Sequence, residues 1–182
     1  MSEAFRFGDY QTRVVFVDRL DPARLARPPE ALAVFDRNVH RLHGGGAEAL
    51  RLAGAERGKA WPAVERILRA AVKAELGRDG RIVGVGGGVV CDLAAFAASL
   101  YMRGCRLTLV PTSLLAMVDA ALGGKTAINL GRAKNLAGTF YPAEEVRICI
   151  ALLKTLPARE LRCGLAEALK TALLGDEQLL EL

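Results

Sequence analysis

Residues 82–135 constrain the fold of this chain more than any other stretch: IVGVGGGVVCDLAAFAASLYMRGCRLTLVPTSLLAMVDAALGGKTAINLGRAKN. Ile82, Val83 and Val85 form a short β-branched run that ends in Gly86, Gly87 and Gly88. A segment rich in Ala and Leu with helical spacing follows. Strand, glycine turn, helix is the order by which α/β folds aim backbone N–H groups at a phosphate. The spacing Gly84, Gly86, Val89 lacks the last glycine of the strict dinucleotide fingerprint, so a standard Rossmann site does not follow from it. Such a turn also serves tight packing of helix on strand, and both readings stand at this point.

A chain of 182 residues, 52% of them hydrophobic, builds one sizeable domain with its own core. Charge interrupts every long apolar run, so no membrane span is expected. The opening MSEAFRFGDYQTR lacks the apolar centre of a signal peptide. Cys91, Cys105, Cys149 and Cys163 are far apart and form no CxxC pair, which fits reduced thiols in a cytoplasmic protein. The net charge of +5 comes from arginines interleaved with acids, with no basic arm. That pattern argues against a nucleic-acid partner and suits a small anionic substrate.

In chain order, residues 13–18 (RVVFVD) read as a strand that residues 5–10 can pair with, residues 21–30 as a proline-rich loop, and residues 32–36 (LAVFD) as another strand. Asp36 at its end can bind a ribose hydroxyl or cap the following turn. His40 and His43, the only histidines, have no acid or cysteine nearby to complete a metal site and read as solvent-exposed. A short strand is expected within residues 47–53 and a polar turn at 54–59 containing Glu56 and Lys59. From Trp61 to Leu76 the residues Val64, Ile67, Leu68, Ala71, Val72 and Leu76 follow helical spacing, with Pro62 at the start and Gly77 at the end.

Small residues in 93–102 let a helix lie close to a sheet, and Arg103-Gly104 ends it. Residues 107–110 form a strand stopped by Pro111. Thr112 and Ser113 follow at its C-terminal edge, where they can meet a ligand or cap the helix expected at 114–122. Gly123-Gly124-Lys125-Thr126 is not a P-loop, because Asp119 stands where that motif needs glycine. Lys125, Lys134, Asn135 and Arg103 make a candidate oxyanion and phosphate clamp, with ordinary surface cations as the other reading. In a last helix over 158–174, Glu167 and Lys170 share a face, and apolar neighbours on either side of Glu167 hint that it points inward.

The sequence resembles 3-dehydroquinate synthase and its relatives, the sugar phosphate cyclases. The matching stretches are GGGVVCD at 86–92, YMRG at 101–104, VPTSLLAMVDAALGGKT at 110–126, Lys134-Asn135, GTFYPA at 138–143 and LKTLPARELRCGLAEALK at 153–170. They cover roughly residues 54–174 in the family's order. The resemblance implies a Rossmann-like α/β domain that binds NAD (residues 1–156), followed by the first helix of an all-helical metal-binding domain (157–182).

The implied reaction is a carbon–oxygen lyase step of the shikimate pathway, which leads to the aromatic amino acids. It converts 3-deoxy-D-arabino-heptulosonate 7-phosphate to 3-dehydroquinate and phosphate by transient NAD-dependent oxidation, phosphate elimination, re-reduction and aldol closure. The implied cofactors are NAD and a divalent metal, zinc or cobalt, and the implied full-length state is a cytoplasmic homodimer. NAD would be held by Asp36, Asn38, Glu56, Lys59, Gly87, Gly88, Val89, Val90, Cys91, Asp92, Thr112, Ser113, Lys125, Lys134, Leu152, Leu153, Lys154 and Thr155. The catalytic and anion-binding set would be Arg103, Asp119, Lys125, Lys134, Asn135 and Lys170, and Glu167 would be a metal ligand.

Three departures qualify the match. Cys91 stands where the family commonly has glycine and would narrow the cofactor space. Leu130-Gly131-Arg132-Ala133 replaces the usual His-Pro-Leu-Gly in a loop that helps set substrate choice, whereas Gly123-Gly124-Lys125 pulls back towards dehydroquinate. The family also takes two histidine metal ligands from its C-terminal domain, and no histidine follows His43. The chain is therefore expected to be inactive alone: a truncated product, a gene-model fragment or a degenerate protein. Two alternatives are another cyclase acting on a heptulose phosphate, and a non-catalytic NAD-binding remnant.

Overall fold

The structure, a computed structural model, describes residues 2–7, 10–21, 25, 29–175 and 177–180. Most of the loop expected at 21–30 lies outside the described residues. Seven strands form one sheet in the order β1-β2-β9-β6-β5-β3-β4. They are β1 (Ser2–Phe7), β2 (Tyr10–Phe16), β3 (Ala31–Asp36), β4 (Leu50–Leu52), β5 (Arg81–Gly86), β6 (Arg106–Pro111) and β9 (Glu145–Ile148). Only the β1–β2 pair is antiparallel. A separate antiparallel hairpin joins β7 (Lys125–Leu130) to β8 (Ala133–Phe140).

The sheet is covered on both faces, which is why its parallel strands read as continuous apolar runs rather than alternating ones. Leu32, Val34 and Ile82 face one core with α2 (Trp61–Lys73) and α3 (Gly88–Leu100). Ala33, Phe35, Val83 and Val85 face the other, with Cys149 and Leu152. The expected helix at 61–76 stops as α2 at Lys73, and Val72 is 67% exposed. At about 100° per residue it lies roughly 80° round from Val64, off the buried stripe of Val64, Ile67 and Ala71.

Two elements carried no clear sequence signal: strand β9 and the hairpin β7–β8. The helix expected at 114–122 is a π-turn over Ala116–Ala120, a form found mostly as single turns, often at functional sites. The last helix, α4, runs over Ala158–Gly175, and a short α5 follows at Glu177–Leu180.

Strand β9 is tied in by charge. Glu145 is buried and takes ion pairs from Arg13, its register partner on β2, and from Arg147. Burial raises the Glu145 pKa, but the hydrogen bonds and charges of Arg147 and Arg13 together outweigh it and hold the carboxyl below its ordinary range. A depressed pKa contributes stability above the unfolded value, which is lost as pH falls through the folded one. Because both arginines are partly exposed, Glu145→Gln is expected to lose about 1–2 kcal/mol near neutral pH. Urea midpoints measured down a pH series should converge with the parent's in acid.

Candidate functional site

The chain leaves β3 outward to β4, then returns to β5 beside β3 and proceeds the other way to β6. Such a reversal opens a crevice at the C-terminal ends of the strands, the usual ligand position in open α/β sheets. Asp36 closes β3 there, the glycine turn follows β5, and Thr112-Ser113 follow β6.

The glycines divide between the two readings offered by the sequence. A Cβ on Gly84 would meet Ala94 at 2.7 Å and one on Gly86 would meet Val90 at 2.7 Å, so these two let α3 pack on β5. Gly87 is the N-cap of α3 and offers no side-chain cap, and no acid stands in the first turn. The exposed N–H groups and the positive end of the helix dipole are thus open to an anion.

Side chains of Val90 and Cys91 point away from this opening into the core, both fully buried. The Cys91 thiol donates to the Gly86 carbonyl at 3.6 Å, and burial pushes its pKa far above the ordinary range. The expectation that this thiol narrows a cofactor space is therefore corrected. Asp36 takes the capping role: Oδ1 accepts from the N–H groups of Asn38 (2.7 Å) and Val39 (3.2 Å) at the start of α1 (Arg37–His43). Its other oxygen lies where a Cβ on Gly54 would sit, 1.7 Å away, which requires glycine at 54. Ser113 likewise caps the next turn, accepting from the Ala116 N–H at 3.3 Å, and Thr112 is buried.

Lys59 is the centre of the site. Only 5% exposed, it forms an ion pair with Asp92 on α3 and donates to Asn135 Oδ1 on β8. Burial raises the Asp92 pKa, and the Lys59 hydrogen bond and charge offset this only in part, while Glu56 and Asp119 push the same way as burial. Residues expected separately at a cofactor and at an anion clamp are here one cluster.

A cavity of about 500 Å³ opens beside it, lined among others by Asp92, Asp119, Lys125, Asn135 and Phe140. Asp119, on the π-turn, lies 3.9 Å from Lys125 Nζ. Lys134 is exposed and outside this lining. Arg103 stands past the far end of α3, and a helix of that length puts it about 20 Å from the glycine turn. The structure therefore does not bring Arg103 to the clamp. A larger cavity, about 600 Å³, lies at the N-terminal ends of β3, β5 and β6, lined by four arginines and three acids and by no candidate residue.

Helix α4 reaches the site through Gly164, whose added Cβ would meet Leu114 Cβ at 2.5 Å and the Leu115 backbone nitrogen at 2.6 Å. This close crossing carries Glu167 and Lys170, which pair with each other. The Lys170 pKa is raised by its hydrogen bond to Glu167 first, and Asp119 adds to it. Glu167 points inward, as its sequence context suggested, its side chain only 20% exposed, although Leu165 and Leu169 beside it are more than half exposed. Among the described residues no group of three or more His, Cys, Asp or Glu is placed to hold a metal.

The histidines are not the exposed pair expected. His43 Nε2 lies 2.7 Å from Thr155 Oγ1, joining α1 to the 3-10 turn Ile150–Thr155. His40 stacks edge-on against Phe35, with its Nε2 buried and without a partner. In that same turn Leu152 is buried in one core and Leu153 packs against the other, leaving Lys154 and Thr155 exposed.

An open sheet with this glycine turn, lysine cluster and following helix is the fold of the sugar phosphate cyclases. 2-Epi-5-epi-valiolone synthase from Streptomyces hygroscopicus subsp. jinggangensis 5008, solved with NAD⁺ and Zn²⁺, superposes with a TM-score of 0.83 at 32% identity, covering 97% of this chain and 53% of that one. 2-Deoxy-scyllo-inosose synthase, solved with carbaglucose-6-phosphate, NAD⁺ and Co²⁺, superposes at 0.80 with 26% identity, covering 93% and 51%. The family described as 3-dehydroquinate synthase N-terminal matches residues 49–163, and the chain belongs to that family. The 3-dehydroquinate synthase of Gloeobacter violaceus is 43% identical over 177 residues, 96% of this chain and 48% of the relative. The chain thus spans about half the length of that relative.

Proposed function

We propose that this chain is the NAD-binding part, residues 1–156, and the first helix of the metal-binding part, residues 157–182, of a 3-dehydroquinate synthase. The reaction is conversion of 3-deoxy-D-arabino-heptulosonate 7-phosphate to 3-dehydroquinate and phosphate in the shikimate pathway. The observation that carries the reading is the Lys59 cluster, which ties the residues that would hold a cofactor (Glu56, Asp92) to one that would hold the substrate anion, Asn135. Relatives named 3-dehydroquinate synthase at 43–44% identity favour this substrate over that of the more distant cyclases.

The residues fit a dinucleotide. The uncapped N-terminus at Gly87 and Gly88 suits a pyrophosphate, and Glu56, Asn38, Thr155 and the second oxygen of Asp36 offer polar atoms along the crevice. When bound there, NAD⁺ would supply a transient oxidation, with hydride leaving the carbon that bears a ring hydroxyl and the hydroxyl proton passing to a base. Lys125, Lys134 and Lys170 neutralise carboxylate and phosphate, Asn135 donates an amide N–H to them, and Asp119 accepts hydrogen bonds from the reacting hydroxyls. Glu167 alone does not hold a catalytic divalent metal, which takes three protein ligands. It supplies one donor to a site that other residues complete, so the 182 residues are inactive by themselves. The resemblance supports a cytoplasmic homodimer at full length.

The test is product analysis on the protein as made in its native cell, with its intact mass. With NAD⁺ and zinc or cobalt, a species heavier than 19.4 kDa should release phosphate and form 3-dehydroquinate. Carbocycle formation only from another heptulose phosphate would overturn the substrate assignment. A 19.4 kDa product that binds NAD⁺ without releasing phosphate would instead mark a non-catalytic remnant.

A further inference from the structure

Asn129 sits where the β7–β8 hairpin loses register: Ile128 pairs with Ala137, yet Leu130 pairs with Ala133. Its backbone N–H donates to the Lys59 carbonyl at 2.8 Å. Its side-chain Nδ2 donates to Glu56 Oε1 at 2.9 Å, and its Oδ1 accepts from the Asn135 N–H at 2.9 Å. The partners fix the orientation of the amide, because a backbone N–H can only donate and a carboxylate can only accept. One side chain therefore stitches the turn Glu56–Gly58 to the residue that meets Lys59 from the hairpin.

The stitch bears on Asn135 in particular. Asn135 has φ +53°, a left-handed conformation that non-glycine residues adopt uncommonly and that surrounding contacts must hold. In that conformation its side chain turns to Lys59, and hence to the Lys59–Asp92 pair.

We propose that Asn129 is a positioning residue that locks Asn135 in its left-handed conformation and so sets the cofactor side of the site against the anion side. The role rests on the dinucleotide reading above. A neutral amide is required because it must donate to Glu56 and accept from Asn135 at once. An ionised carboxylate at 129 would accept only, and would face the Glu56 carboxylate that now accepts from Asn129. A protonated carboxyl would restore both bonds.

The test uses the full chain as parent, Asn129→Ala and Asn129→Asp. Two readouts are followed: amide exchange of Asn135 resolved by fragmentation, and affinity for NAD⁺. With the Asn129–Asn135 hydrogen bond lost and a left-handed backbone released, Asn129→Ala should speed Asn135 exchange roughly tenfold and weaken NAD⁺ binding by a similar factor, leaving α3 exchange unchanged. Asn129→Asp should match Asn129→Ala at about pH 8 and move back towards the parent as pH falls, since a proton shared between facing carboxyls restores both bonds. Parent-like exchange at Asn135 in Asn129→Ala, or the same deficit in both variants at every pH, would overturn the proposal. If the parent itself binds no NAD⁺, the dinucleotide reading fails, while the exchange data still decide the role of Asn129.

Discussion

Replacing Lys59 with methionine is expected to cost about 3 kcal/mol of stability near neutral pH, because it leaves a mostly buried carboxylate without its partner. The pKa of Asp92 is already raised by burial with Lys59 in place, and without the ammonium it rises further. A carboxyl whose folded pKa lies above its unfolded value stabilises less as pH climbs through that folded pKa. The deficit of Lys59→Met should therefore be larger at about pH 8 than at about pH 5, where Asp92 takes up a proton. Urea unfolding at the two values measures it, and equal deficits would contradict the buried-pair account. Asn135 loses its partner in the same substitution, so NAD⁺ affinity should fall by more than tenfold.

The second large effect concerns the helix that carries Glu167 and Lys170. Gly164→Val places side-chain atoms against the Leu115 backbone, which cannot step aside as a side-chain tip would. Overpacking of this kind costs about 2 kcal/mol, roughly thirtyfold in an opening equilibrium. Gly164 and Ala172 are the buried residues of α4, so the helix has little else to hold it and should undock while the sheet stays intact. Amide exchange should accelerate across Ala158–Gly175 and stay unchanged in β5 and β6. Unchanged exchange in α4 would show that the crossing at Gly164 tolerates the added side chain.

The central strands and α2 were legible because their cores impose pattern: β3 and β5 read as apolar runs, and Val64, Ile67 and Ala71 recur at helical spacing. Strand β9 was not, because its buried Glu145 and its Arg147 break the apolar run that marks a parallel strand. The hairpin was missed for a related reason. Almost every residue of β8 is exposed, so burial imposes no alternation on it.

At the site, the glycine turn and the identities of Lys59, Asp92, Lys125 and Asn135 were visible one by one. Their assembly was not, since Lys59 and Asn135 are 76 residues apart and meet only when the hairpin lies along α3. Asn129 has no residue-type signal of its own. Only its place at the register slip, beside the left-handed Asn135, gives it away. Arg103 lies past the far end of α3 within this chain, and the matching motif carries no information about which end of that helix it occupies.

The most direct test of the dinucleotide site uses Trp61, the single tryptophan, two residues beyond Lys59 and half exposed at the start of α2. NADH titrated into the chain should draw energy transfer from Trp61 that saturates, is competed away by NAD⁺ and is lost in Lys59→Met. A signal that rises without saturating, or that survives Lys59→Met unchanged, would contradict a dinucleotide site built on Lys59.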